Sequence, residues 1–457
     1  MTLARSWPVF FVALALYTAT ASTTVQGGDA GEWMTLAAVG GVGHPPGYPA
    51  WTLMLRGLGA LPFGTVAFRA SLGSALLAAT AVALVHRSVR LVTLDARAAW
   101  LAAGALMVSG TFWRYATVAE VFAGAAATAA LVVWLAAEVH AGWRGWKPAV
   151  LLGLAMGLGL AHHHSIVFLL PIWGWALGRT GALWGALAAL PGLGSYALLM
   201  QSGGGWRWGR TETLEGLVRH VLRRDYGTFA LSGHDADVAI WAHPLDWAVA
   251  LPWEWVFVFA VFALLGALDA RHPFGRSLSL SALLAGPVFL ALFDVPAEGL
   301  GRVVAARFHV LPAVLLAVLA GLGISAASRR WPRIHLALAP AVLLSAVLHW
   351  EFGSHRGFTL MEDIVVATLE GADEGATLVV HGDSMIFGML YAQEVLGLRP
   401  DVTVFSPTLS EHSWYEVRPV GPTQRTLDIV LPPEPSPRLR DLTWEGHVWL
   451  SLQPEPR

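Results

Sequence analysis

Residues 27–49 read GGDAGEWMTLAAVGGVGHPPGYP, and the company this stretch keeps decides the fold. It follows the first apolar run of the chain and holds two carboxylates, a histidine and a proline corner. Around it lie 457 residues of which 55% are hydrophobic and 13% charged, with mean hydropathy +0.57. A soluble domain carries about 25% charged residues, so the chain reads as an integral membrane protein. A net charge of −2 provides no basic face for nucleic acid. The absence of cysteine excludes thiolate metal sites, disulfides and cysteine nucleophiles. The 22 tryptophans suit the belts that aromatic rings form at a membrane surface.

An apolar run of about 20 residues crosses a bilayer. Such runs are predicted near 7–26, 67–86, 98–112, 116–137, 148–162, 164–178, 181–200, 247–268, 277–294, 303–327 and 334–350, about eleven in all. Arginine and lysine in short loops mark the cytoplasmic side. Arg5, Arg87, Arg90, Arg97, Arg144, Lys147, Arg179, Arg271, Arg276, Arg329, Arg330 and Arg333 all fall on one side of this alternation. The loops 27–66, 201–246 and 294–302, and everything after about 350, are then expected on the outer face. The N-terminus, with Arg5 ahead of an apolar run that ends in small residues, fits a retained first span or a cleavable signal peptide.

After residue 350 the hydropathy falls. ATLVVHG reads as a strand, SMIFGMLYAQEVLG as a helix and DVTVFSP as a second strand, with LDIVLP and HVWLSL as further strand candidates. The expected fold is thus mainly α: a polytopic membrane part over 1–350 closed by a small extracytoplasmic α/β domain over 351–457.

Asp29 and Glu32 stand three apart, on one side of a helix if one begins there. They fit a helix cap, a general base with a second acid, or a divalent-cation pair, and the sequence leaves all three open. In the HPPG corner, Pro45, Pro46 and Gly47 read as a turn back to the membrane, while His44 can donate to a phosphate or titrate near neutral pH. Glu120, at the outer end of a span, is a functional candidate or the structural partner of Arg114. Three consecutive histidines, His162 to His164, point about 100° apart on a helix, which argues against a shared metal and leaves His163 to line an outer cavity. The outer loops break the charge rule with Arg207, Arg210, Arg219, Arg223, Arg224 and Arg302, which points to an anionic ligand such as a phosphate or to an amphipathic helix over 211–224 lying on headgroups. Arg302 and Arg307 flank the start of a span, where either can hold a lipid phosphate.

The order of these motifs carries more than any one of them. GDAGEW and HPPGYP, then SGTFWRYATVAEVFA, GLAHHHSIVFLLP, RRDYGTF and GDSMIFGMLYAQEVLGLRPDV together resemble the protein O-mannosyltransferase-like family, long catalogued as a domain of unknown function, within the GT-C superfamily of membrane glycosyltransferases. The resemblance implies a GT-C fold, an active site in the first outer loop and a sugar donor on polyprenyl phosphate. By the same resemblance Asp29 matches the loop acid expected to be the catalytic base, Glu32 the second acid, and Arg224, Asp225 and Tyr226 the YGTF region. GDSMIF departs from the threonine-bearing segment of relatives, and mannose rests on the family name.

The expectation is an inverting transferase that moves a sugar from a polyprenyl-phosphate donor to a protein, lipid or glycan hydroxyl on the outer face, with Arg224, Arg302 or Arg307 neutralising the departing phosphate. A prokaryotic inner membrane is expected, although an endoplasmic reticulum membrane would give the same topology. A transporter or flippase is the first alternative, disfavoured because the ionisable groups gather at span ends and no repeat is visible. A non-catalytic assembly protein is the second, and it predicts that Asp29→Asn leaves function intact.

Overall fold

The computed structural model describes residues 6–201, 204–228, 238–255, 257–269 and 272–426. Helices dominate and fall on every predicted apolar run. Among the described residues four helices are long and apolar enough to cross a membrane: Val66–Thr93, Phe122–His140, His164–Met200 and Gly301–Arg330. The pair Ala242–Glu254 and Val258–Leu268 makes a fifth when taken as one span, and Trp7–Thr20, Ala96–Met107 and Ile334–Leu348 are shorter apolar helices.

The 37 residues of His164–Met200 would run about 55 Å as one straight helix, well beyond the roughly 30 Å of a hydrocarbon core. Gly178 breaks it with non-helical backbone, where the sequence reading divided the two runs. The second arm packs on Trp146–His162 at backbone distance, since a methyl on Gly157 would overlap the Ala189 carbonyl. Such small-residue contacts are how helices associate in lipid, where burial of apolar side chains offers little advantage. Along its outer side this arm exposes Leu183, Leu187 and Leu190, a face suited to lipid. Gly301–Arg330 is the opposite case, 83% of its apolar window being buried, and forms the centre of the bundle.

The C-terminal part is built on a three-stranded parallel sheet. Thr377–Val379 is central, with Thr403–Phe405 on one side and Thr423–Arg425 on the other. Parallel neighbours need a crossover, and the helix Asp383–Glu394 supplies it between the first two. The two strands and the helix read from the sequence are therefore present; Thr423–Arg425 was not read, and LDIVLP and HVWLSL lie outside the described residues.

This part does not hang free of the first loop. The Val25 N–H donates to Glu362 at 3.0 Å, the Thr24 hydroxyl to the Phe358 carbonyl at 2.8 Å, and the Gly28 N–H to the Ser384 hydroxyl at 2.8 Å. The loop is also tied to 201–246 by a short parallel pairing of Gly41–Val42 with Trp206–Arg207.

Candidate active site

The first loop forms a helix, Ala30–Val39, with Asp29 at its N-cap position. Asp29 makes no side-chain cap bond. Its carboxylate instead accepts from the Arg307 guanidinium at 2.8 Å, with both side chains largely buried. Arg307 projects from the start of the central span, so the pair joins loop to bundle across 278 positions. Glu32 does not reach back to complete a capping box either. Fully buried, it accepts the His44 N–H at 2.9 Å, the His44 ring at 2.6 Å and the Trp206 indole at 3.3 Å. The two acids therefore serve different partners, and among the described residues no three His, Asp or Glu are grouped to hold a metal ion.

The HPPG corner is what delivers His44. Gly47 takes a left-handed turn and Tyr48 stacks edge-on against Trp33, within 3.4 Å of the second His44 nitrogen. Burial opposes a charge on His44, but Glu32 outweighs it, followed by Asp29 and Asp383, and the imidazole is raised to about 9. A raised histidine stabilises the fold fully below its ordinary 6.5, and that stabilisation is lost as pH rises through about 9. The difference amounts to about 3 kcal/mol at neutral to acid pH. Thermal unfolding of wild type and His44→Gln in detergent should thus differ most near pH 6 and converge near pH 10; a gap that ignores pH would show that the imidazolium charge contributes nothing.

Glu120 completes the group. Its backbone is fixed by Ser74, whose hydroxyl donates to the Glu120 carbonyl at 3.2 Å and accepts from its N–H at 3.1 Å. Arg114, the sequence-level partner, lies over the Phe352 ring instead. Glu120 faces Asp29 and Arg307, is 4% exposed, and among the described residues leaves Oε2 without a partner. Burial, then the charge of Asp29, raises its carboxyl against the pull of Arg307 and His44, which favours the protonated O–H form.

Several sequence candidates are placed elsewhere. Arg302 is paired with Asp246 at 2.9 Å, and its side chain is half-exposed. Arg224 is exposed, and Asp225 is held by Arg219 at 2.7 Å. It is Arg223 that turns inward, over the Tyr226 ring and towards His163 and His164. Tyr226 lies against Trp208, which in turn meets His44, Phe387 and Trp414 and walls the site with aromatic rings. Phe229 of the YGTF segment lies outside the described residues. The three histidines diverge, though not along one helix, since Trp146–His162 ends at the first and His163 is extended: His162 meets the Val121 carbonyl, His163 Ser165 and His164 Tyr196. Helix Leu214–Val221 is shorter than the amphipathic 211–224 expected and buries Leu217 and His220.

Sequence reasoning missed Asp383, Ser384 and the tryptophans Trp206 and Trp208, and of the two adjacent arginines it favoured Arg224 over Arg223. Asp383 is surrounded by Asp29, Arg307, His44 and Glu32 and, although its side chain is open to solvent, is raised by the protein around it and by Asp29. The available signal was the glycine before it, which places an acid at the strand-to-helix junction.

With this geometry in hand, comparison with known proteins is informative. Residues 29–181 match the family model described as Protein O-mannosyl-transferase TMEM260 N-terminal domain. The chain is thus similar to the TMEM260 proteins over this N-terminal part. It is 28% identical over 443 residues to Protein O-mannosyl-transferase TMEM260 of Mus musculus, covering 89% of this chain and 63% of that one. It is 25% identical over 472 residues to the Dictyostelium discoideum protein of the same name, covering 90% and 58%. The chain thus spans about three fifths of the length of these relatives. Among solved structures it is similar to ArnT from Cupriavidus metallidurans bound to undecaprenyl phosphate, with TM-score 0.59 and 14% identity over 94% of each chain. It is also similar to the oligosaccharyltransferase AglB from Archaeoglobus fulgidus in complex with an inhibitory peptide and a dolichol-phosphate, with TM-score 0.50 and 12% identity over 87% of this chain and 64% of that one. The fold is therefore the GT-C fold that the motif order implied. The TMEM260 relatives are eukaryotic and give the prokaryotic inner-membrane expectation no support.

Proposed function

We propose that this protein is a membrane glycosyltransferase that moves a mannosyl group from a polyprenyl-phosphate donor to a hydroxyl of a protein acceptor, with the site on the outer face of a membrane crossed about eleven times. The observation that carries the reading is the Asp29–Arg307 pair, a carboxylate and a guanidinium 2.8 Å apart where the first loop meets the central span. A lipid phosphate must approach along the membrane, and Arg307 is the cation at that entrance. The names of the TMEM260 relatives support mannose and a protein acceptor.

In the transfer step the acceptor oxygen forms a bond to the anomeric carbon while the bond from that carbon to the phosphate oxygen breaks. The bonding pair leaves with the phosphate, and Asp29 takes the acceptor proton. As the phosphate arrives it shares the Arg307 guanidinium, which loosens the pair and frees the Asp29 carboxylate to face the acceptor hydroxyl. Glu120 in its protonated form can donate to a phosphate oxygen where an ionised carboxylate would repel it. Charge developing on the leaving group thus meets a cation and a donor already in place.

The test is transfer to a serine- and threonine-bearing peptide from synthetic polyprenyl-phosphate mannose, with polyprenyl-phosphate glucose as the comparison. Mannose transfer is expected, and it should survive chelation of divalent cations because Arg307 already supplies the positive charge. Transfer from the glucose donor alone would overturn the sugar, dependence on added divalent cation would overturn the role given to Arg307, and inertness with both donors would return weight to the transporter reading.

A further inference from the structure

We propose that Asp383 is a substrate-contacting residue of this site, carried in by the C-terminal α/β part to receive the acceptor on the aqueous side of Asp29. The proposal rests on the glycosyltransferase reading and adds to it the part of the chain that selects the acceptor.

Position comes first. Asp383 opens the helix Asp383–Glu394 directly after the central strand Thr377–Val379, with Gly382 turning the chain at positive φ. The crevice beyond the carboxyl end of a parallel strand is where α/β sheets bind ligands. Here the first loop forms one wall of that crevice. Ser384 accepts from Gly28 at 2.8 Å, one residue from Asp29, and a side chain at Gly31 would overlap the Phe387 carbonyl. The two helices meet backbone to backbone, so Asp383 is held against the loop acids by main-chain fit rather than by a mobile side chain.

The second observation is what Asp383 lacks. Asp29 is engaged by Arg307, and Glu32 by His44 and Trp206. Among the described residues no hydrogen bond or ion pair reaches the Asp383 carboxylate, whose side chain is open to solvent while Asp29, Glu32, His44 and Arg307 surround it. Facing the same Asp29 and Arg307, the buried Glu120 keeps Oε2 unpartnered. The bland account is a helix dipole, which favours an acid in a first turn by about 0.3–1 kcal/mol. That account explains an acid facing bulk water. It does not explain why this helix end adds a further acid to a group in which Asp29 and Glu32 are already matched by Arg307 and His44, where a surplus like charge at close range costs comparable energy or more. A polar substrate group between them removes the conflict, because a hydroxyl or amide N–H gives an ionised carboxylate a donor.

Direction decides which substrate. Arg307 lies near the start of the apolar helix Gly301–Arg330, and in the proposed topology it meets what comes along the membrane, whereas the less apolar C-terminal part stands on the aqueous side. A water-borne acceptor arrives by that side, and a lipid-bound donor does not.

The experiment is Asp383→Asn, with Asp383→Glu as the conservative variant, assayed by two rates on one enzyme preparation. One is mannosyl transfer to a serine- and threonine-bearing peptide; the other is release of mannose from polyprenyl-phosphate mannose to water. Size-exclusion profile and thermal midpoint check the fold. Asp383→Asn is expected to raise the peptide KM by at least about tenfold, the effect of about 1.4 kcal/mol, while hydrolysis changes less than about twofold, and Asp383→Glu should recover part of the peptide affinity. Hydrolysis falling in step with transfer would place Asp383 in the chemistry or the fold and overturn the proposal, as would peptide kinetics like those of wild type. A wild type that neither transfers nor hydrolyses would remove the glycosyltransferase reading itself, a result distinct from either.

Discussion

Asp29→Asn is expected to lower mannosyl transfer by about 10²- to 10⁴-fold, the usual contribution of a positioned general base, with little change in donor affinity. Asparagine keeps the shape of the side chain and an oxygen that can still accept from Arg307, so the loop is retained. What disappears is a group able to take a proton from the acceptor hydroxyl. The charge balance changes less than the substitution suggests. Asp29 is the leading charge that keeps Glu120 protonated, after burial itself, so without it Glu120 ionises more readily and supplies Arg307 with a counter-charge. The variant should therefore elute and melt close to wild type while turning over far more slowly. A folded Asp29→Asn protein with wild-type turnover would sink Asp29 as base and favour the assembly reading, which predicts that result.

How much of this was legible in the sequence follows the range of the interactions. The helices were, because a run of apolar residues long enough to span a bilayer reports on itself. So were the loop acids, His44 and Glu120, which stand near span ends where ionisable groups are conspicuous. What failed was orientation. Arg302 and Arg307 are five residues apart, which turns one about 140° from the other around a helix, and sequence alone does not tell which faces inward. Arg307 meets Asp29 and Arg302 meets Asp246. Arg223 and Arg224 repeat the difficulty at neighbouring positions. The capping reading failed for a different reason: a buried Arg307 and His44, both remote in sequence, outcompete local backbone N–H groups for Asp29 and Glu32. Asp383 was hidden because its meaning depends on a contact across 356 positions between Gly28 and Ser384, which no local pattern announces.

The same charge balance makes Arg307 the side chain whose loss should be felt most in stability. Arg307→Met keeps much of the apolar stem but leaves Asp29, Glu32, Glu120 and Asp383 facing one remaining cation, His44. Removing one partner of a buried pair costs about 3–5 kcal/mol, because the other charge stays buried without compensation. The deficit should depend on pH in a definite sense. With the guanidinium gone, the leading charge that opposes the rise of Glu120 is lost and His44 is left as the cation, so the acids relieve their repulsion mainly by binding protons, and Arg307→Met should recover towards wild type as pH falls through the carboxylate range. Asp29→Asn in the same chain should also recover part of the loss, since it removes the charge that was stranded, and the double variant should melt above Arg307→Met alone. Transfer should be lost in both, because the departing phosphate then loses the guanidinium that would meet it. Thermal midpoints of the four proteins near pH 5 and pH 8 test this cycle. Equal destabilisation of single and double variants at both pH values would mean that Arg307 acts by packing, and that the Asp29–Arg307 pair is not the electrostatic centre of the site.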